Sequence, residues 1–156
     1  MPIINNNVEK DKLNIEEMVA EFDEQYRIVH QTADRPLYFR TMEEGELLAR
    51  ATDKNLSRFL GNERGYLVTN ISRIVIDPAV VDLYAERINT FLARYLQPHG
   101  IARYGYAIGR VTVRMAHESN RLEDLNMFAT KEEAFAFIRG LEVRRLELEQ
   151  AFAKVR

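Results

Sequence analysis

The chain contains no cysteine, which at once excludes disulfides, thiolate metal sites and a cysteine nucleophile. It also lacks a strong charge of either sign. Its 22 Lys and Arg stand against 24 Asp and Glu, a formal net charge of −2, so a generally basic nucleic-acid binder is excluded. No run approaches the ~20 consecutive apolar residues that a membrane-spanning helix needs. The opening Met-Pro-Ile-Ile-Asn-Asn-Asn has neither the basic region nor the apolar core of a secretory leader, which predicts a cytoplasmic protein. What is present is ordinary: 156 residues, 46% apolar and 29% charged, enough for one domain with a single core.

Charge is distributed unevenly. Up to Glu24 two lysines face seven acids, a net of −5, and the remainder of the chain is +3. Residues 1–12 are polar and Asn-rich, with little to bury, and are expected to form a disordered tail. Residues 13–140 then form the domain, and 141–156 a helical extension.

Alternating element signals fill the domain. Asn14 with Glu17 resembles a capping box, and Ile15, Met18, Val19 and Phe22 recur at helical spacing, which predicts a short helix over 15–23 in competition with a leading strand. Tyr26–His30 and Leu37–Arg40 are β-like runs around a polar connector, expected to pair antiparallel. Thr41 with Glu44 is a second capping box. The stripe Leu47, Leu48, Ala51, Leu56, Phe59, Leu60 marks a helix ending at Gly61, with a break expected near Thr52–Asn55. Tyr66–Ser72 is nearly continuously apolar, as in a strand covered on both faces, and Ile74–Ile76 follows it. Asp77 and Pro78 suit the cap and first position of the next helix, whose stripe is Val81, Tyr84, Ile88, Phe91, Leu92 and Tyr95. A strand over 101–108, a helix over about 110–119 and a strand over 125–128 are expected next. A third capping box, Thr130 with Glu133, starts a helix reaching toward the C-terminus. Strand–helix alternation with short joints requires right-handed parallel crossovers, so the fold class is α/β: a mostly parallel sheet with an antiparallel edge pair and flanking helices.

Three segments resemble the SpoIIAA-like (STAS-like) domains, the fold of anti-sigma-factor antagonists. They are Tyr66-Leu-Val-Thr-Asn-Ile-Ser-Arg-Ile-Val-Ile-Asp-Pro-Ala, the strand end Gly105-Tyr-Ala-Ile-Gly109, and Phe128-Ala-Thr-Lys-Glu-Glu-Ala-Phe-Ala-Phe-Ile138. The resemblance covers roughly residues 25–141 and implies a non-catalytic regulatory or protein-interaction module. It implies a partner surface on the Asn70–Pro78 loop, carried by Asn70, Ser72, Arg73 and Asp77. One departure matters. Antagonists of this family carry a phosphorylatable serine at the helix that follows the central strand, where this chain reads Asp77-Pro78-Ala79; the nearest serine is Ser72.

No motif argues for catalysis. Gly105-x-x-x-Gly109 lacks the other glycines of a dinucleotide loop and the Gly-Lys-Ser/Thr of a P-loop. His30, His99 and His117 are far apart and form no ligand-spaced pair, so neither a metal nor a cofactor is expected. His99, after Pro98, reads as a favourable contact at a helix end. The acid pairs Glu16-Glu17, Glu43-Glu44 and Glu132-Glu133 fall in first helical turns, where they complement the dipole.

Two features rise above this background. Between Arg87 and Arg121 lie six arginines, no lysine and one acid, with Tyr95, Tyr104 and Tyr106 interleaved. Arg110 and Arg114, with Tyr104 and Tyr106, could hold a small anionic metabolite at the carboxyl ends of the strands; the plainer reading is a solvated face paired with acids. The alternative function is therefore a binding protein or enzyme for such a metabolite. RNA binding fits poorly with an acidic chain. The second feature is the line Ala134, Ile138, Leu141, Arg145, Leu148, Phe152, Val155, with 4-3-4-3-4-3 spacing. It predicts a homodimer through Leu141, Leu148, Phe152 and Val155, or a helix folded back over its own domain.

Overall fold

A computed structural model describes residues 18–105 and 126–155. The strands are β1 (Met18–Asp23), β2 (Ile28–Ala33), β3 (Leu37–Phe39), β4 (Gly65–Asn70), β5 (Ile74–Ile76), β6 (Leu96–Tyr104) and β7 (Met127–Phe128). The helices are α1 (Met42–Leu60), α2 (Val81–Arg94, preceded by a 3-10 turn at Pro78–Val80) and α3 (Lys131–Val155). The main sheet has five strands in the order β1-β2-β4-β6-β7, with β1 antiparallel to β2 and every other pair parallel. This is the α/β class expected from the element order.

β4 is the middle strand, and all but its last residue are buried. Alternation along the strands sends side chains to two different layers. Val29, Leu67 and Ile101 pack with Leu56, Leu60, Ile88 and Phe91 of α1 and α2. Ile28, Tyr66, Val68 and Ala102 face Ala134 and Ile138 of α3. The small parallel pair β3–β5 adds Leu37, Phe39, Ile74 and Ile76 to the first layer, around Val80 and Leu83.

Four local expectations are corrected. Residues 18–23 are a strand, not a helix. Met18, Ala20 and Phe22 are more buried than Val19 and Glu21 between them, and the ladder to β2 supplies the backbone partners. Ile15 and the Asn14–Glu17 pair lie outside the described residues. The antiparallel partner of β2 is therefore β1, while Leu37–Phe39 pairs parallel with β5. Leu37 N donates to Arg73 O at 2.8 Å, and Arg73 Nη1 donates to Asp34 O at 3.1 Å, which ties the connector to the β4–β5 loop.

α1 runs unbroken through Thr52–Asn55. These two polar residues are buried because Gln31 meets them. Gln31 Nε2 donates to Thr52 Oγ1 at 3.1 Å, and Asn55 Nδ2 donates to Gln31 Oε1 at 2.9 Å and to Met18 O at 3.2 Å. Finally, Pro98 and His99 belong to β6 rather than to a helix end. Gln97–Gly100 bulge out opposite Tyr66, and His99 takes a φ of 59°.

The helix starts follow the sequence closely. Thr41 and Glu44 form both halves of the α1 capping box. Asp77 Oδ1 accepts from Ala79 N at 2.9 Å, with Pro78 at the first position. Thr130 Oγ1 accepts from Glu133 N at 3.2 Å. Each such cap is worth about 1 kcal/mol.

Candidate interaction surface

The carboxyl ends of the parallel strands gather at Asn70 and Tyr104, which are register partners. Asn70 Oδ1 accepts from Ser72 N at 3.0 Å and from Ser72 Oγ at 2.6 Å, a side-chain turn that reverses the chain as it leaves β4. Gly105, at φ +125°, closes this turn; a Cβ there would stand 2.9 Å from Ser72 N. Ser72 and Arg73 are exposed. Asn70, Ser72 and Arg73 thus share one loop, and their polar groups already hold it in shape. Asp77 is separated from them by β5, roughly 10 Å of extended chain. It serves the 3-10 turn with its carboxylate and Phe39 O with its backbone N–H.

Of the residues placed in an anion site, Tyr106, Arg110 and Arg114 lie outside the described residues. Tyr104 sits on the α3 side of the sheet, where its hydroxyl and His30 Nε2 are 2.6 Å apart. Phe135 meets the His30 ring edge-on at 5.3 Å. Burial, followed by the Lys131 charge, pushes the His30 pKa down against the opposing pull of Glu21. Burial, followed by Glu132 and Glu21, pushes the Tyr104 pKa up. Both rings are therefore held toward their neutral forms.

The described arginines of the Arg/Tyr stretch go separate ways. Arg87 Nη2 bridges Glu46 Oε1 at 2.5 Å, joining α2 to α1. Arg94 lies over the Tyr95 ring. Arg103, which the sequence reading placed on an exposed face, is 1% exposed, and its Nε donates to the Tyr84 hydroxyl at 3.1 Å. Strand alternation carried that signal, since Arg103 shares a side of β6 with Ile101. The Gln31–Thr52–Asn55 relay was also missed. Its only trace was polar residues on the apolar stripe of α1, which read as a break.

The most exposed apolar surface belongs to α3. Its 25 residues begin on the sheet, where Ala134 and Ile138 are fully buried and Leu141 packs against the same cluster. Among the described residues the helix is tied to the domain at Glu142, whose carboxylate accepts from the Tyr66 hydroxyl of β4 and from Arg145, Nη2 at 2.6 Å and Nε at 2.9 Å. The Arg145 hydrogen bonds, opposed by burial and aided by the Tyr66 hydroxyl, hold the Glu142 carboxyl below the usual carboxylate range. Burial and the Glu142 carboxylate push the Tyr66 phenol far up. Arg145 Nη1 also reaches Glu149 at 2.6 Å. Beyond this knot the apolar line continues in phase, and Leu148, Phe152 and Val155 are 60%, 70% and 85% exposed. In the described chain the helix extends away from its domain; it does not fold back.

Among the described residues, no group of three or more His, Asp or Glu side chains could hold a metal ion, and no helix is long and apolar enough to cross a membrane. No protein-family model, curated protein or solved structure matches this chain.

Proposed function

We propose that this chain is a non-catalytic regulatory or protein-interaction module of STAS-like type, acting in the cytoplasm and self-associating through the free half of α3. The observation that carries this reading is the stripe that runs from buried Ala134 and Ile138, broken only at Arg145, to exposed Leu148, Phe152 and Val155. About 20 Å of helix stands beyond Glu142. A lone helix of that length is marginal in water unless its apolar face is covered.

A second copy is the occupant that fits. From Leu141 to Val155 the helix carries three acids and three bases, Glu142, Glu147 and Glu149 against Arg144, Arg145 and Lys154. A charge-balanced face can pair with itself about a twofold axis without like-charge repulsion. Each of the three apolar side chains would add roughly 1.5–3 kcal/mol if fully covered. The Asn70–Arg73 turn, held by its own hydrogen bonds and exposed at Ser72 and Arg73, then remains for a further protein partner. The absence of cysteine makes no demand on an oxidising compartment and supports the cytoplasmic setting.

Light scattering of the full-length chain over a concentration series tests self-association. A dimer is expected, and the Leu148→Glu/Phe152→Glu double variant should run as a monomer with an unchanged circular dichroism spectrum. A native chain that is monomeric throughout the series overturns the reading.

A further inference from the structure

The side of α3 that rests on the sheet and the side left bare are one and the same. Ala134 and Ile138 are fully buried, and Leu141 packs in their cluster. The same 4-3 spacing carries that line on to Leu148, Phe152 and Val155, with a drift of only about 20° per heptad. Up to Glu142, therefore, the domain's own sheet fills the space that any helix packed on this line would need. That fixes the direction of a partner. A second copy running parallel and in step brings its own sheet to the same level, and two sheets compete for the gap between the helices. An antiparallel copy carries its domain past the far end of α3, so that only the bare halves lie together.

Spacing then fixes the register. Reversal about Gln150 lays the line onto itself, with Leu148 opposite the partner's Phe152 and Arg145 opposite the partner's Val155. A centre half a heptad nearer the sheet drives the partner's Val155 onto Ile138, which the sheet already covers. A centre as far outward leaves only Phe152 and Val155 to meet. Arg145, the one charged residue on the line, gains a defined place when the centre is Gln150. Its alkyl stem lies along the partner's Val155, and its guanidinium stays on Glu142 and Glu149 of its own helix, both at 2.6 Å. Glu149 approaches the partner's Glu149 beside the axis, each neutralised by its own Arg145. Resting on the self-association proposed above, we infer that the second copy docks antiparallel on α3, centred on Gln150, and that Arg145 sets this register.

The chain has no cysteine, so single spin labels can be placed on it cleanly. Val143→Cys and Gln150→Cys are seven residues apart on the exposed far side of α3, where a label leaves the paired line alone. Pulsed electron paramagnetic resonance of the full-length dimer should give a longer distance between copies at Val143 than at Gln150, by roughly 5–10 Å. The axial offset is about 21 Å at the first site and near zero at the second. A parallel pair gives equal distances at both. Val155→Glu, which sets a carboxylate against the partner's Arg145, should dimerise several-fold more tightly than Val155→Arg in sedimentation equilibrium. Equal label distances, or equal affinities of the two Val155 variants, overturn the antiparallel register while self-association stands. A native chain that never dimerises removes both.

Discussion

The two faces of the central sheet are built on different principles. Under α1 and α2 the layer is thick: Leu56, Leu60, Ile88 and Phe91 interleave with Val29, Leu67 and Ile101, and its polar groups are sealed inside. Under α3 the layer is thin. Ala102, Val68 and Ala134 leave room for rings, and the half-buried rings of His30 and Tyr104 carry polar atoms toward the edge. The first face therefore holds the domain together, whereas the second fastens a helix whose far half has other business. Sealed polar groups must be matched within the fold. Polar groups at the edge can respond to solvent or to a partner.

Three perturbations sharpen that contrast. Leu56→Ala empties a fully buried position in the thick layer; it should cost about 2–5 kcal/mol in urea unfolding, with no change in the spread of the α3 resonances beyond Glu142. Ile138→Ala, at an equally buried position, should cost a similar amount but also disturb the α3 resonances; undisturbed α3 resonances would erase the distinction between the faces. Asn55→Ala should cost about 1–3 kcal/mol, because it strips a donor from both Gln31 Oε1 and Met18 O inside the same layer. A loss within measurement error would mean that the relay is not sealed from water. The smallest effect belongs to the α3 face and depends on pH.

The folded-state pKa of His30 lies below its ordinary value, so between the two values the unfolded chain binds the extra proton. The His30 contribution to stability is then fully present above about pH 6.5 and is lost as the pH falls through the lowered folded value. His30→Gln should flatten the stability profile between about pH 8 and 5 relative to the native chain. Identical slopes for the two proteins would remove His30 from the account.

How much of this could be read from sequence depended on the range of the interaction concerned. Capping is local, so Thr41 with Glu44, Asp77 with Pro78, and Thr130 were legible three residues at a time. The central strand was equally plain, because a run covered on both faces has no alternation to misread. Residues 18–23 were not plain. Met18, Val19 and Phe22 satisfy helical spacing, while Met18, Ala20 and Phe22 satisfy the strand period. The second pattern prevails because β2 lies alongside. The α1 break failed for a similar reason: Thr52 and Asn55 look like interruptions until Gln31, more than twenty residues earlier, meets them. Of the candidate site, the residues themselves read as one strand through Ser72, and only the family resemblance placed a loop at Asn70–Pro78; the strand ends at Asn70 because its side chain turns back onto Ser72. The separation of Asp77 from that turn, and the partnership of Tyr104 with His30, were not legible either.

The sequence by itself determined the α/β class, the caps at Thr41, Asp77 and Thr130 and the apolar line along the last helix, because each rests on periodicity or on contacts a few residues apart. Only the tertiary structure decided which strands pair, which polar residues are sealed, and where α3 leaves the domain. Those outcomes turn on side chains tens of residues apart in the chain, such as Tyr66 with Glu142 or Arg103 with Tyr84, and the sheet alone brings them within a hydrogen bond of each other.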